Sequence, residues 1–145
     1  MMSVIMRAYN NEKFIWKAIE SVIKQTRSDF ELVVINDGST DSTTGIISSF
    51  IDKRIHNITQ KNSGAIESAY SGIKHAKGEY VTFLDADDEM KENALAELAE
   101  PLDRDKNIGF TYSDYEEVEY HTKKKKVVSL DNKFNHVVCG MMFRK

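Results

Sequence analysis

GEYVTFLDADD, residues 78–88, sets a β-favouring run (80–84, YVTFL) directly against three acids, Asp85, Asp87 and Asp88. A run of this kind without polar alternation suits a strand covered on both faces, as in a parallel sheet. In such a sheet ligands bind beyond the carboxyl ends of the strands, which is where these acids fall. Working outward, the pattern recurs. Residues 4–6 (VIM) precede Arg7-Ala8-Tyr9-Asn10-Asn11-Glu12, and residues 30–35 (FELVVI) precede Asn36-Asp37-Gly38-Ser39-Thr40-Asp41. Residues 55–59 (IHNIT) precede Gln60-Lys61-Asn62-Ser63-Gly64.

Segments of helical period separate these runs. Phe14, Ile15, Ala18, Ile19, Val22 and Ile23 form one apolar stripe, which Asn10 and Asn11 are expected to cap. Ile46, Ile47, Phe50 and Ile51 mark a second helix, rich in serine and threonine and so dependent on burial. Ile66, Ala69, Tyr70, Ile73 and Ala76 mark a third, with Gly78 as its expected stop. Ala94, Leu95, Leu98 and Leu102 mark a fourth, which Pro101 is expected to kink or end. Alternating strands and helices predict an α/β fold with an open, mainly parallel sheet and helices on both faces. Residues 108–112 read as a fifth strand. Residues 115–130 read as an exposed hairpin with Lys123, Lys124, Lys125 and Lys126 at a solvated turn, and residues 137–143 as an apolar stretch.

At 145 residues with 41% hydrophobic and 30% charged side chains, the chain can pack one core, and no linker or repeat divides it. Its net charge of -3 gives no support to nucleic-acid binding. The single cysteine, Cys139, excludes an internal disulfide, and no secretory leader or membrane-length apolar run is present, so a cytoplasmic protein is expected. Docking on a membrane face stays open. His56, His75, His121 and His136 lack metal-ligand spacing, and Asn57-Ile58-Thr59 is an accidental sequon in a cytosolic chain. A calcium loop starting at Asp85 fails, because Met90 and Ala96 occupy positions that need glycine and glutamate. Trp16 serves either packing or a partner surface.

Two roles are open to the acids after residue 84. Like charges about 4 Å apart repel by roughly 1 kcal/mol even in water, and a divalent cation would relieve that while engaging substrate phosphates. Alternatively they cap the following helix and complement its dipole, the expected job of Asp88. The Asn36-Asp37-Gly38 turn precedes a helical segment, so it is read as a helix cap, with Asp37 able to accept hydrogen bonds from a base or sugar.

Taken in order, residues 3–10 (SVIMRAYN), 33–41 (VVINDGSTD), Asn62-Ser63-Gly64 and 78–88 closely resemble the family 2 glycosyltransferases, over about the first 113 residues. The resemblance implies a GT-A (Rossmann-like) fold, a nucleotide-diphosphosugar donor with UDP-sugar favoured, Mn2+ or Mg2+, and sugar transfer with inversion to a saccharide or lipid-linked acceptor. Surface polysaccharide or glycolipid synthesis, in the cytoplasm or at the inner face of the membrane, is the implied setting. By position, Ala8, Tyr9 and Glu12 line the nucleotide pocket, Asp37 reads the base, and Ser39 supports its loop. Asn62 and Gly64 border the donor pocket. Asp85 and Ala86 contact the ribose or uracil side, and Asp87, with Asp85, forms the metal end. Many members have proline where this chain has Arg7, whose fixed charge is expected to pair with a nearby acid.

The family's catalytic base lies beyond a stretch resembling residues 139–145, and Asp114, Glu116 and Glu117 do not match its place. No catalytic residue is assigned. The expectation is therefore a single domain, residues 1–113 forming the nucleotide-sugar half and residues 114–145 a hairpin and the start of the acceptor half, truncated at the acceptor side. The alternative is a non-catalytic nucleotide-sugar-binding module that needs a further segment or partner.

Overall fold

Side chains of a strand alternate between faces, and β1 (Met2–Ala8) shows how that builds two cores. The computed structural model describes residues 1–119, 121–129 and 140–145. Met2, Val4, Met6 and Ala8 point into the larger cluster, while Ile5 enters a smaller one on the opposite face. The larger cluster is filled by α1 (Ile15–Ile23), α2 (Thr43–Ser49) and α4 (Ala94–Arg104). The smaller is covered by α3 (Ala65–His75) through Ala69 and Ile73. Helices thus lie on both faces, as predicted.

β1 pairs in parallel with β2 (Phe30–Asn36) and β4 (Tyr80–Asp85), and β2 with β3 (Ile55–Thr59). The six-stranded sheet runs β3-β2-β1-β4-β8-β5, where β5 is Phe110–Tyr112 and β8 is Met141–Arg144. β8 is antiparallel to both neighbours and separates the predicted fourth and fifth strands. Its pattern explains the insertion: Met142 is buried in the larger core, while Phe143 lies 6.0 Å from Phe83 on the other face. Thr82 Oγ1 donates to the Met141 carbonyl at 2.7 Å, tying β8 to β4. β6 (Tyr115–Val118) and β7 (Lys125–Val128) form the expected exposed hairpin. Tyr120, Leu130, His136 and Cys139, with residues 137–138 of the apolar stretch 137–143, lie outside the described residues.

Several local expectations are corrected. Asn10 and Asn11 make no side-chain cap on α1, because their side chains tie down neighbouring loops instead. Phe50 leaves the second helix with extended backbone, and Ile51 is fully exposed. Ile66 and Tyr70 face solvent, so α3 buries small residues, Ser68 and Gly72, against the sheet. α3 ends at His75, with Ala76 rather than Gly78 at its C-cap. Pro101 sits inside α4, which continues to Arg104. Trp16 packs on Phe50 with ring centres 4.5 Å apart and planes tilted by 37°, although it remains half exposed. No helix among the described residues is long and apolar enough to cross a membrane.

Candidate functional site

The four parallel strands end on one rim, and their loops are joined there by hydrogen bonds that use both backbone and short polar side chains. The Asp37 N–H donates to the Ala8 carbonyl at 2.9 Å, and the Gln60 N–H to the Asn36 carbonyl at 3.0 Å. Asn10, in the left-handed region at φ 54°, donates its N–H to Ser39 Oγ and accepts from the Thr40 N–H. Asparagine tolerates that conformation because its short polar side chain bonds locally. The Glu12 carboxylate accepts from the Ser42 N–H at 3.0 Å, and Asp41 accepts from the Glu12 N–H and from the Thr43 N–H. Asp41 and Glu12 therefore satisfy the start of α2, the job expected of the Asn36-Asp37-Gly38 turn.

A cavity of about 440 Å³ opens at this rim, within the size range of small-ligand sites. Of the residues expected at a site, Ala8, Tyr9, Asp37, Asn62, Gly64, Asp85, Ala86 and Asp87 line it. Glu12 and Ser39 do not line it; they brace the loops behind it. Tyr9 is half exposed, leaving a ring face available to a flat ligand. Asn11, read from sequence only as a helix cap, and Ala65 and Ser68, given no role there, also line the cavity. Ser68 carried no signal, because a serine at a helical position reads as solvent-facing, yet it is buried and accepts from Gln60 Nε2 at 3.3 Å.

Asp37 is the organising acid of the rim. One carboxylate oxygen accepts from Gln60 Nε2 at 2.8 Å and the Ser63 N–H at 3.0 Å, and the other from the Gly64 N–H at 2.9 Å. Burial pushes its carboxyl up, but these hydrogen bonds prevail and hold it below the usual carboxylate range. Gly38 beside it adopts φ 74°, and a Cβ there would lie 2.8 Å from the Asn62 backbone nitrogen. Only glycine fits so close an approach of the two loops.

Arg7 and Asp85 are register partners on β1 and β4, and their side chains form an ion pair at the cavity wall. The pairing expected of Arg7 is thus present. The Arg7 guanidinium also lies 6.0 Å from the centre of the Phe83 ring. Asp87, two residues further on, is exposed at the cavity mouth. Asp88 caps no helix: its N–H closes a turn to the Asp85 carbonyl at 3.0 Å, while α4 begins six residues later behind Asn93.

Among the described residues no three His, Cys, Asp or Glu side chains converge as a complete metal cage. Asp85 and Asp87, both lining the cavity, nevertheless fit a hard ion, because Mg2+ and Mn2+ take one or two carboxylates and complete their shell with phosphate oxygens and water.

The segment after these acids is held from behind. Gln25, buried at the end of α1, donates to the Lys91 carbonyl at 2.6 Å and accepts from the Leu95 N–H at 2.9 Å. Ser21 Oγ accepts from the Met90 N–H at 3.0 Å. Gln25→Leu leaves both backbone groups unpaired and is expected to destabilise the fold by about 2 kcal/mol. Urea denaturation checks this, and a loss below about 0.5 kcal/mol would mean that water replaces the amide.

The remaining candidates sit elsewhere. His56 lies 3.4 Å from Glu31, His75 bonds the Ser71 carbonyl one turn back on α3, and the sequon at Asn57 falls on the edge strand β3. Glu116 accepts from Lys91 Nζ at 2.8 Å, and that bond, with the charges of Lys91 and Lys125, holds its carboxyl below the usual range.

Comparison with known proteins agrees with this geometry. The family model described as Glycosyl transferase family 2 matches residues 3–143. The glycosyltransferase GlyG of Streptococcus pneumoniae is 37% identical over 123 residues, 81% of this chain and 40% of that protein. WfgD of Escherichia coli, a UDP-Glc:alpha-D-GlcNAc-diphosphoundecaprenol beta-1,3-glucosyltransferase, is 38% identical over 117 residues, 80% of this chain and 46% of that protein. Among solved structures, S. aureus TarS 1-349 in complex with UDP-GlcNAc superposes with a TM-score of 0.67 at 34% identity, covering 71% of this chain and 31% of that one. The mostly parallel sheet thus matches the GT-A architecture expected from sequence. The chain spans less than half the length of each of these three relatives.

Proposed function

The chain belongs to glycosyl transferase family 2, and we propose that its rim cavity holds the nucleoside diphosphate of a nucleotide-sugar donor, with UDP favoured. One observation carries this: a 440 Å³ cavity at the carboxyl ends of parallel strands gathers Tyr9, Asp37, Asp85 and Asp87 on one wall system. In this assignment Tyr9 and Ala8 border the base, and the Asp37 carboxylate, or the loop that it fixes, reads its hydrogen-bonding edge. Asp85 and Ala86 face the ribose, Asn62 and Gly64 border the donor, and Asp87 holds the cation at the diphosphate. Mg2+ or Mn2+ bound there supplies positive charge for a departing diphosphate. TarS, solved with UDP-GlcNAc, and WfgD, named for UDP-Glc and a diphosphoundecaprenol-linked acceptor, support a UDP-sugar donor and a saccharide or lipid-linked acceptor.

The proposed reaction is transfer with inversion by the protein that contains this segment. The acceptor oxygen bonds to the anomeric carbon as the bond from that carbon to the diphosphate oxygen breaks. The electron pair leaves with the nucleoside diphosphate, and the acceptor proton passes to a carboxylate base. Glu116 is a poor candidate for that base, since a carboxyl held low by Lys91 is a weak proton acceptor. The base is assigned to no described residue.

Thermal denaturation tests the donor site. UDP with Mn2+ is expected to raise the melting temperature of the wild type, by the linkage of ligand binding to folding. Asp87→Ala is expected to lose the metal-dependent part of the rise. A melt unchanged by UDP, GDP, CDP and dTDP, each with metal, would sink the proposal. Nucleotide binding with no sugar transferred across a broad acceptor panel would instead mark the segment as a binding module that needs the rest of its protein.

A further inference from the structure

Asp85 and Asp87, the two acids that flank Ala86, are placed differently. Asp85 is ion-paired to the Arg7 guanidinium on the neighbouring strand, in a register that brings the two side chains to the same face of the sheet. Asp87 is exposed at the mouth of the same cavity. Arg7 is held in place by more than this pair, because its guanidinium also lies 6.0 Å from the centre of the Phe83 ring and its stem rises from a strand paired on both sides. A guanidinium keeps its charge across the pH range of proteins, so the Arg7–Asp85 pair presents no net charge to an incoming cation. The side chains are 26% and 39% exposed, so ligand and ion can reach the pair.

We propose that Arg7 is a positioning residue that withholds Asp85 from the divalent cation, so that Asp87 alone supplies a full protein charge and the ion binds well only together with a nucleoside diphosphate. This rests on the donor-site assignment above and adds to it an order of assembly. A lone carboxylate is a weak site for a hard ion, which needs several oxygen ligands. The diphosphate brings both the missing oxygens and the missing negative charge. Because binding free energies are reciprocal, the cation then tightens the nucleotide by the same factor as the nucleotide tightens the cation. Without Arg7, Asp85 and Asp87 would form a two-carboxylate site that takes the ion unaided.

Mn2+ binding, followed by the electron paramagnetic resonance signal of the free ion, tests this without any turnover. The wild type is expected to bind Mn2+ at least about tenfold more tightly with UDP than alone, and UDP to tighten by an equal factor with Mn2+. Removing the positive charge in Arg7→Gln or Arg7→Met is expected to tighten Mn2+ binding in the absence of UDP by about fivefold, through the lost repulsion and the released carboxylate. Arg7→Lys, which keeps the charge, is expected to stay close to wild type. A general structural defect would weaken the ion, whereas the prediction is a gain. Wild-type protein that binds Mn2+ equally well with and without UDP overturns the proposal. So do neutral variants that melt cooperatively but show no gain; if the wild type still binds UDP with Mn2+, that result removes the role of Arg7 and leaves the donor site standing. Absence of UDP and Mn2+ binding in the wild type removes both.

Discussion

Alanine in place of Gly72 is expected to destabilise the protein by about 2 kcal/mol, and valine by about 3 kcal/mol or more, although alanine is the better helix former. Two effects oppose each other at this position. Within a helix, glycine to alanine gains about 1 kcal/mol from backbone propensity. Against that, a Cβ at residue 72 would stand 2.3 Å from Ile5 Cγ2. Ile5 is fully buried in the middle strand of the parallel set and, being β-branched, has little χ1 freedom with which to move aside. Relief requires α3 to lift from the sheet, opening the smaller core formed by Ile5, Val81 and Phe83. Overpacking of a tight core costs about 1 to 3 kcal/mol and sometimes more, so packing outweighs propensity. Chemical denaturation of Gly72→Ala, Ile5→Ala and the double variant gives the measurement. The double variant is expected to be more stable than the sum of the single losses by at least about 1 kcal/mol, since truncating Ile5 makes room for the new methyl. A Gly72→Ala protein more stable than wild type would show that the helix shifts freely, and that the smaller core is not tightly packed.

That position also shows which parts of the architecture were legible beforehand. The apolar runs at 4–6, 30–35 and 80–84 fall within observed strands, because strands buried on both faces need continuous apolar sequence, whereas the mixed segment 55–59 forms the partly exposed edge strand β3. Helix faces were less legible. Ile66 and Tyr70 fit the period of α3 and are exposed, while the surface laid on the sheet is made from Ser68 and Gly72, whose small size rather than hydrophobicity permits close approach. β8 was invisible as a strand because its place between β4 and β5 depends on a partner far away in sequence, and its alternation of Met142 and Phe143 has meaning only once both cores exist. At the rim, eight of the ten residues with a motif position line the cavity, and Glu12 and Ser39 do not. Gln25 and Ser68 were not legible, since each acts through a contact with a distant segment. The cap expected of Asp88 is absent because Asn93, directly before Ala94, holds the N-cap position of α4.

Asp37→Asn is expected to cost about 2 to 3 kcal/mol of stability and to abolish the melting shift produced by UDP. Both carboxylate oxygens accept hydrogen bonds, from Gln60 and the Ser63 N–H on one and from the Gly64 N–H on the other. An asparagine has one oxygen and one NH2, so whichever way it turns, a donor faces a donor. The isosteric change therefore loses charge-assisted bonds and leaves a backbone N–H unpaired in a site where Asp37 is only 4% exposed. The loop carrying Asn62 and Gly64, both at the cavity wall, is then no longer fixed beside Ala8 and Tyr9. The pH dependence separates this from a general packing defect. Because the folded-state carboxyl lies below its ordinary value of 3.8, its contribution is complete above the unfolded pKa and is lost as pH falls through the lower folded value. The stability gap between wild type and Asp37→Asn is therefore expected to be constant above about pH 5 and to narrow as pH drops below about 4. A gap that stays level through acid would mean that the carboxylate's charge contributes nothing. A variant that keeps its UDP shift would place base recognition elsewhere in the cavity, with Tyr9 and the Asn62 loop holding position without Asp37.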